Sequence, residues 1–241
     1  MAGSSWGRVN NAAAAFQGGS YASITAGTAG TQWLQGGPSL FPAAGKLVTQ
    51  VAIYLDPSTG WSINGQAFSY SVALNNIASF GTGVFRDYIF SIGWYDAATS
   101  ALGSKAFWVA ASDFTVSDPK NFPSGSNRNS IPITQPGWYY LQHAFVPKTC
   151  PPNIGYGSTA KCIYAQMKVF KASVGASCGS VVATQSGSAT ASWEVGPRGK
   201  GFSGTPSDQV EDIAGPRYGY FNMPATSSLS VDYFYYVAFS S

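Results

Sequence analysis

The chain has 241 residues, only 10% of them charged and 15% aromatic, against roughly 25% charged in an ordinary soluble domain. The net charge of +3 comes from few charges of either sign, with no lysine or arginine run, which argues against nucleic acid as a partner. No stretch reaches the roughly 18 consecutive apolar residues of a membrane-spanning helix, so no membrane partner is expected either.

Taken in chain order, residues 1–19 read as an irregular N-terminal segment without the basic flank and apolar core of an export leader. Strand-like runs of β-branched and aromatic residues, separated by turn signals, then recur along the chain. Clear strands are predicted over 47–55, 66–74, 86–95, 105–111, 138–146, 161–170, 189–195 and 228–239, and weaker ones over 20–26, 31–35, 180–184 and 217–222. Two long loops, 117–137 and 196–217, interrupt them; loops of that length tend to be functional or disordered, with surface decoration the plainer alternative. About a dozen strands exceed what one open twisted sheet holds, so the expectation is an all-β, two-sheet antiparallel β-sandwich of jelly-roll type in a single domain over 1–241.

Three cysteines allow at most one internal disulfide. Cys150 and Cys162 bracket a Pro/Gly-rich loop and are the expected pair, with Cys178 the rival partner. No zinc ligand set is present, because the chain has a single histidine. No cofactor is expected; loop oxygens of Asp113, Asp118, Asp208, Glu211 and Asp212 are candidates for a structural calcium ion.

That histidine, His143, stands in GWYYLQHAFV (137–146). Strand alternation puts Tyr139, Leu141, His143 and Phe145 on one face and Trp138, Tyr140, Gln142 and Ala144 on the other. The first face looks like core, so the plainer reading is a buried imidazole bonded to a neighbour. The catalytic reading makes His143 a general base beside Tyr139, with Arg86 neutralising a uronate carboxylate, as in a polysaccharide lyase. A glycosidase would instead need two carboxyl groups across a cleft. Glu194 could face such a cleft, with Asp87, Asp96 or Asp232 as partner, though each aspartate also has a plain role at a strand end or on the surface.

Aromatics are the richest resource. Sugar rings stack on Trp and Tyr while amides bind hydroxyls, so Trp61, Trp94, Tyr95, Tyr140, Gln142, Tyr156, Tyr218 and Tyr220 are candidate glycan contacts. For each the plainer alternative is packing.

The strand GWYYLQHAF and the closing RYGYF with LSVDYFYYVAF resemble the corresponding strands of concanavalin-like and laminin-G-like jelly rolls, a superfamily of lectins, glucanases and polysaccharide lyases. The resemblance covers about a fifth of the chain. It implies an extracellular, carbohydrate-directed protein, and composition points independently to secretion. The expected function is lectin-like binding of a polysaccharide through aromatic and amide side chains on a concave sheet. The alternatives are a lyase or glycosidase working in the same cleft, and a structural or adhesive subunit of an extracellular assembly.

Overall fold

The structure is a computed structural model, and it describes residues 5–11, 19–32, 46–59, 61, 64–76, 85–113, 129–149, 152, 161–172, 191–195 and 213–239. These form eleven strands: β1 (Ser5–Asn10), β2 (Ser20–Gln32), β3 (Lys46–Leu55), β4 (Gly65–Asn76), β5 (Phe85–Tyr95), β6 (Ala106–Asp113), β7 (Ile131–Ile133), β8 (Gly137–Thr149), β9 (Lys161–Lys171), β10 (Ala191–Val195) and β11 (Ile213–Phe239). All pairings are antiparallel.

The strands make two sheets, and β2 and β11 run through both. The first half of β11 lies between β2 and β4, and its second half between β2 and β3. The register breaks between Met223 and Ser228 on β11 and between Thr25 and Gly27 on β2, so the two strands turn the corner together. Pro224 falls inside that break, where the missing N–H disturbs no regular ladder. One sheet therefore reads β1-β2-β11-β3-β8-β9-β10 and the other β2-β11-β4-β5-β6-β7. The architecture is the expected antiparallel β-sandwich.

Period-two alternation decides what lies between the sheets. Leu47, Val51, Ile53 and Leu55 of β3, Leu141 and Phe145 of β8, and Met167 and Val169 of β9 face Phe68, Tyr70 and Val72 of β4, Tyr88, Phe90 and Ile92 of β5, and Phe107 and Val109 of β6. Burying each such side chain contributes about 1.5–3 kcal/mol relative to leaving it in water.

Two short strands depart from the sequence reading. β1 lies within the segment expected to be irregular, and its partner is β2. β7 lies within an expected loop; it is three residues long, contains Pro132, and closes the sheet edge against β6. The predicted runs 20–26 and 31–35 overlap one strand, β2, and 217–222 and 228–239 are both parts of β11. The run 180–184, Cys150, Cys178 and most of the second long loop lie outside the described residues, and with them the expected disulfide; Cys162 pairs through its backbone with Lys148.

At one end of the sandwich two aspartates organise the turns. Asp96 Oδ1 accepts from the amides of Ala98 (3.0 Å) and Thr99 (2.9 Å) and from the Thr99 hydroxyl (2.7 Å). Its Oδ2 accepts from Asn64 Nδ2 at 2.9 Å, while Asn64 Oδ1 accepts from the Asp96 amide at 2.8 Å. The Asn64 side-chain bond, followed by those of Thr99, lowers the Asp96 carboxyl to about 2. The neighbouring turn is capped by Asp56, whose Oδ1 accepts from the Ser58 amide and hydroxyl. Gly65 (φ +116°) follows Asn64 in a conformation that a side chain would strain.

Candidate functional site

The inward face of β8 is sealed. His143 has no exposed surface; its ring lies 4.8 Å from Phe90 and 5.6 Å from Tyr70, both edge-on from the opposite sheet, and stacks on Phe145 of its own strand. Its Nε2 lies 3.1 Å from the carbonyl oxygen of Tyr88 on β5. A carbonyl only accepts, so Nε2 carries the proton and the bond ties one sheet to the other. Burial depresses the imidazole pKa to about 3, the bond to Tyr88 opposing this only in part. Tyr139 shares that face, is buried, and donates its hydroxyl to the carbonyl of Gln135 at 2.8 Å.

Glu194 is on the other side of the sheet. Its strand position pairs with Gln166, whose neighbours Ala165 and Met167 point into the core. His143 and Tyr139 thus face the space between the sheets and Glu194 faces away from it. Arg86 is placed on β5 opposite Leu74 by its backbone. His143 and Tyr139 therefore do not share a site with Glu194. Nor does Glu194 find a carboxylate partner in Asp232, because β11 lies four strands from β10, about 19 Å at the usual strand spacing. Asp96 belongs to a turn at the end of the other sheet, and Asp87 to β5 of that sheet.

Of the aromatic candidates, Trp61 and Trp94 are core residues. Trp61 stacks on Phe68 at 5.7 Å and meets Phe107 edge-on at 5.6 Å. Trp94 donates its indole N–H to the carbonyl of Pro57 at 3.1 Å. Tyr95 ends β5, half-buried. Tyr218 and Tyr220 lie on the first half of β11, paired with β2 and β4. Tyr156 and the loop acids Asp118, Asp208, Glu211 and Asp212 lie outside the described residues, and Asp113 ends β6. Among the described residues no group of His, Cys, Asp and Glu could hold a metal ion.

The outward face of the β3-β8-β9-β10 sheet is where Tyr140, Gln142 and Glu194 do share a surface. It has two zones. Ala52, Trp138, Tyr140 and Phe170 form a buried apolar cluster, with Tyr21 packed against it. Tyr54 is 38% exposed and lies edge-on to Trp138 at 5.6 Å. Beside this zone a row runs across the strands from Ser192 through Lys168 and Gln142 to Gln50, following the registers of β10, β9, β8 and β3. Gln142 Nε2 donates to Gln50 Oε1 at 2.9 Å, and both amides are buried.

Toward β10 the row opens to solvent. Lys148 Nζ sits 2.6 Å from Glu194 Oε2 and 4.7 Å over the ring of Tyr164. The hydrogen bond from Lys148 is the chief reason the Glu194 carboxyl lies below the usual carboxylate range; Gln166 adds a smaller one. Glu194 is therefore an ionised acceptor at neutral pH and not a proton donor. Tyr164, Gln166 and Lys168 are half-buried and Ser192 is exposed. The sequence reading missed Lys148, Tyr164, Gln166 and Lys168. The alternation of KCIYAQMKVF places the last three on one face, but only the strand order sets them beside Lys148 and Glu194.

No protein-family profile matches the chain, and no curated protein sequence matches it. Solved structures that resemble it include two mutants of the alginate lyase Aly36B, one in complex with an alginate tetrasaccharide and one with a trisaccharide. The first aligns over 88% of this chain and 80% of its own at 12% identity, with a TM-score of 0.30. The second aligns over 89% and 75% at 14% identity, with a TM-score of 0.27.

Proposed function

We propose that this protein binds a polysaccharide, without turning it over, on the outward face of the β3-β8-β9-β10 sheet, and that it does so outside the cell. The observation that carries the reading is the solvent-facing group of Lys148, Tyr164, Gln166, Lys168, Ser192 and Glu194. It combines an aromatic ring, amide, hydroxyl and charged groups, the inventory that recognises sugar hydroxyls and ring faces, and Lys148 ties Glu194 to Tyr164 within it. Pre-ordering of Lys148 and Glu194 lowers the entropy lost on binding. The burial of His143 between the sheets favours the binding reading over a lyase that uses this imidazole as its base.

The test is affinity electrophoresis against a panel of neutral and uronate polysaccharides, with reducing ends and 235 nm absorbance followed in parallel. Retardation by at least one polymer is expected, weakened by Tyr164→Ala and by Glu194→Ala, with no product formed. Lys148 and Glu194 are each well exposed, so breaking their pair should change stability by no more than about 1 kcal/mol, and loss of binding in Glu194→Ala would not be loss of fold. Product formation, or indifference to every polymer, would refute the proposal.

A further inference from the structure

Three buried polar atoms without a hydrogen-bond partner among the described residues belong to side chains that meet in the middle of the sandwich: His143 Nδ1, Thr49 Oγ1 and Tyr70 Oη. All three residues are fully buried. Thr49 stands directly opposite His143 across the β3-β8 ladder, on the same inward face, and side chains so placed have Cβ atoms about 4.5–5.5 Å apart. Tyr70 reaches the same imidazole from the other sheet. A buried polar group left unpaired bears its whole desolvation cost, and native interiors seldom leave three on adjoining side chains.

The chemistry of the three atoms specifies what would satisfy them. With the proton on Nε2, Nδ1 is a bare acceptor and needs a donor. The two hydroxyls can each donate or accept. Around them β3 contributes Leu47 and Val51, β9 contributes Met167, and β5 contributes Phe90 and the Tyr88 carbonyl. Tyr70 is the titratable side chain in ring contact with the imidazole, and burial pushes its phenol upward, so it is neutral. No charged side chain among the described residues packs against the imidazole. An ion would have no counter-charge.

We infer that the core holds an internal water at this layer, which donates one hydrogen to His143 Nδ1 and exchanges hydrogen bonds with the hydroxyls of Thr49 and Tyr70. A molecule with three such partners is typical of buried structural water. It joins β3, β4 and β8, as the His143 bond to Tyr88 joins β8 and β5.

A crystal structure of the wild-type chain at a resolution that shows ordered water tests this directly. Density within hydrogen-bond distance of Nδ1 and at least one of the two hydroxyls is expected. An empty layer, or Tyr70 Oη bonded to Nδ1 itself, would overturn it. Thr49→Val and Tyr70→Phe test it by sign, since each deletes a hydroxyl and little else. If water bridges them, each lowers the melting temperature by about 2–4 °C, and the double variant loses less than the sum because both act through one molecule. If the hydroxyls are simply stranded, their removal leaves the melting temperature unchanged or raises it, and the inference fails.

Discussion

Acid should weaken this fold through one side chain before the carboxylates act. His143 is depressed to about 3 in the folded chain, while an unfolded histidine titrates near 6.5. Below 6.5 the unfolded state therefore binds a proton that the folded state refuses. The stabilisation is complete above pH 6.5 and is lost as pH falls toward 3, at about 1.4 kcal/mol per pH unit and roughly 4–5 kcal/mol in all. Asp96, held at about 2, and Glu194, held low by Lys148, begin to lose their contributions as pH falls into the ordinary carboxylate range, below about pH 5. Between pH 6.5 and about 5, above the window in which Asp96 and Glu194 act, His143 should account for about 2 kcal/mol. Urea unfolding across pH 4.5–7.5 measures the slope, and His143→Gln should remove about one proton's worth of it. Because the chain has a single histidine, one imidazole Cε1–H resonance reports the folded pKa without assignment. A resonance that titrates near 6.5, or equal slopes in wild type and variant, would refute the argument.

Other substitutions test the frame around that centre. Phe90→Ala empties the space against His143 and should cost about 3–5 kcal/mol, read as a lower urea midpoint. Trp193 donates its indole N–H to the carbonyl of Asn129 at 3.0 Å, tying β10 of one sheet to the segment before β7 of the other; Asn129 takes a left-handed φ of 50°. Trp193→Phe should cost about 1 kcal/mol and speed amide exchange in β10 and β7 more than in β3 or β8. Asp96→Ala removes the acceptor of two loop amides and of Asn64, and should raise the exchange rates of Ala98 and Thr99 while leaving β8 protected.

How far the sequence reached is clearest on β8. The alternation of GWYYLQHAFV separated His143 from Gln142 correctly, because a strand has only two faces and its residues take them in turn. Alternation cannot say what lies beyond each face. Both faces of this strand are buried, one under the second sheet and one in the smaller cluster of Trp138, Tyr140 and Phe170. Trp61 and Trp94 were candidates for exposure because they stand beside turns, and the plainer alternative, packing, is what the structure has: their rings fold onto Phe68, Phe107 and the Pro57 carbonyl. Turn chemistry was more legible: Asp96, expected at a strand end, caps its turn by contacts within three residues.

By itself, then, the sequence determined what depends on near neighbours: an all-β chain, the approximate bounds of β3, β4, β5, β6, β8 and β9, and the two-face division of each. The corner at which β2 and β11 pass between sheets, the short strands β1 and β7, and the meeting of Lys148, Tyr164 and Glu194 were decided by the tertiary structure. Their causes are pairings between residues far apart in the chain, Lys148 and Glu194 being 46 apart, and no local pattern encodes which strand will lie beside which. The same holds for His143. Its residue type was visible from the start, but whether it meets water or Phe90 depended on how the second sheet closed over it.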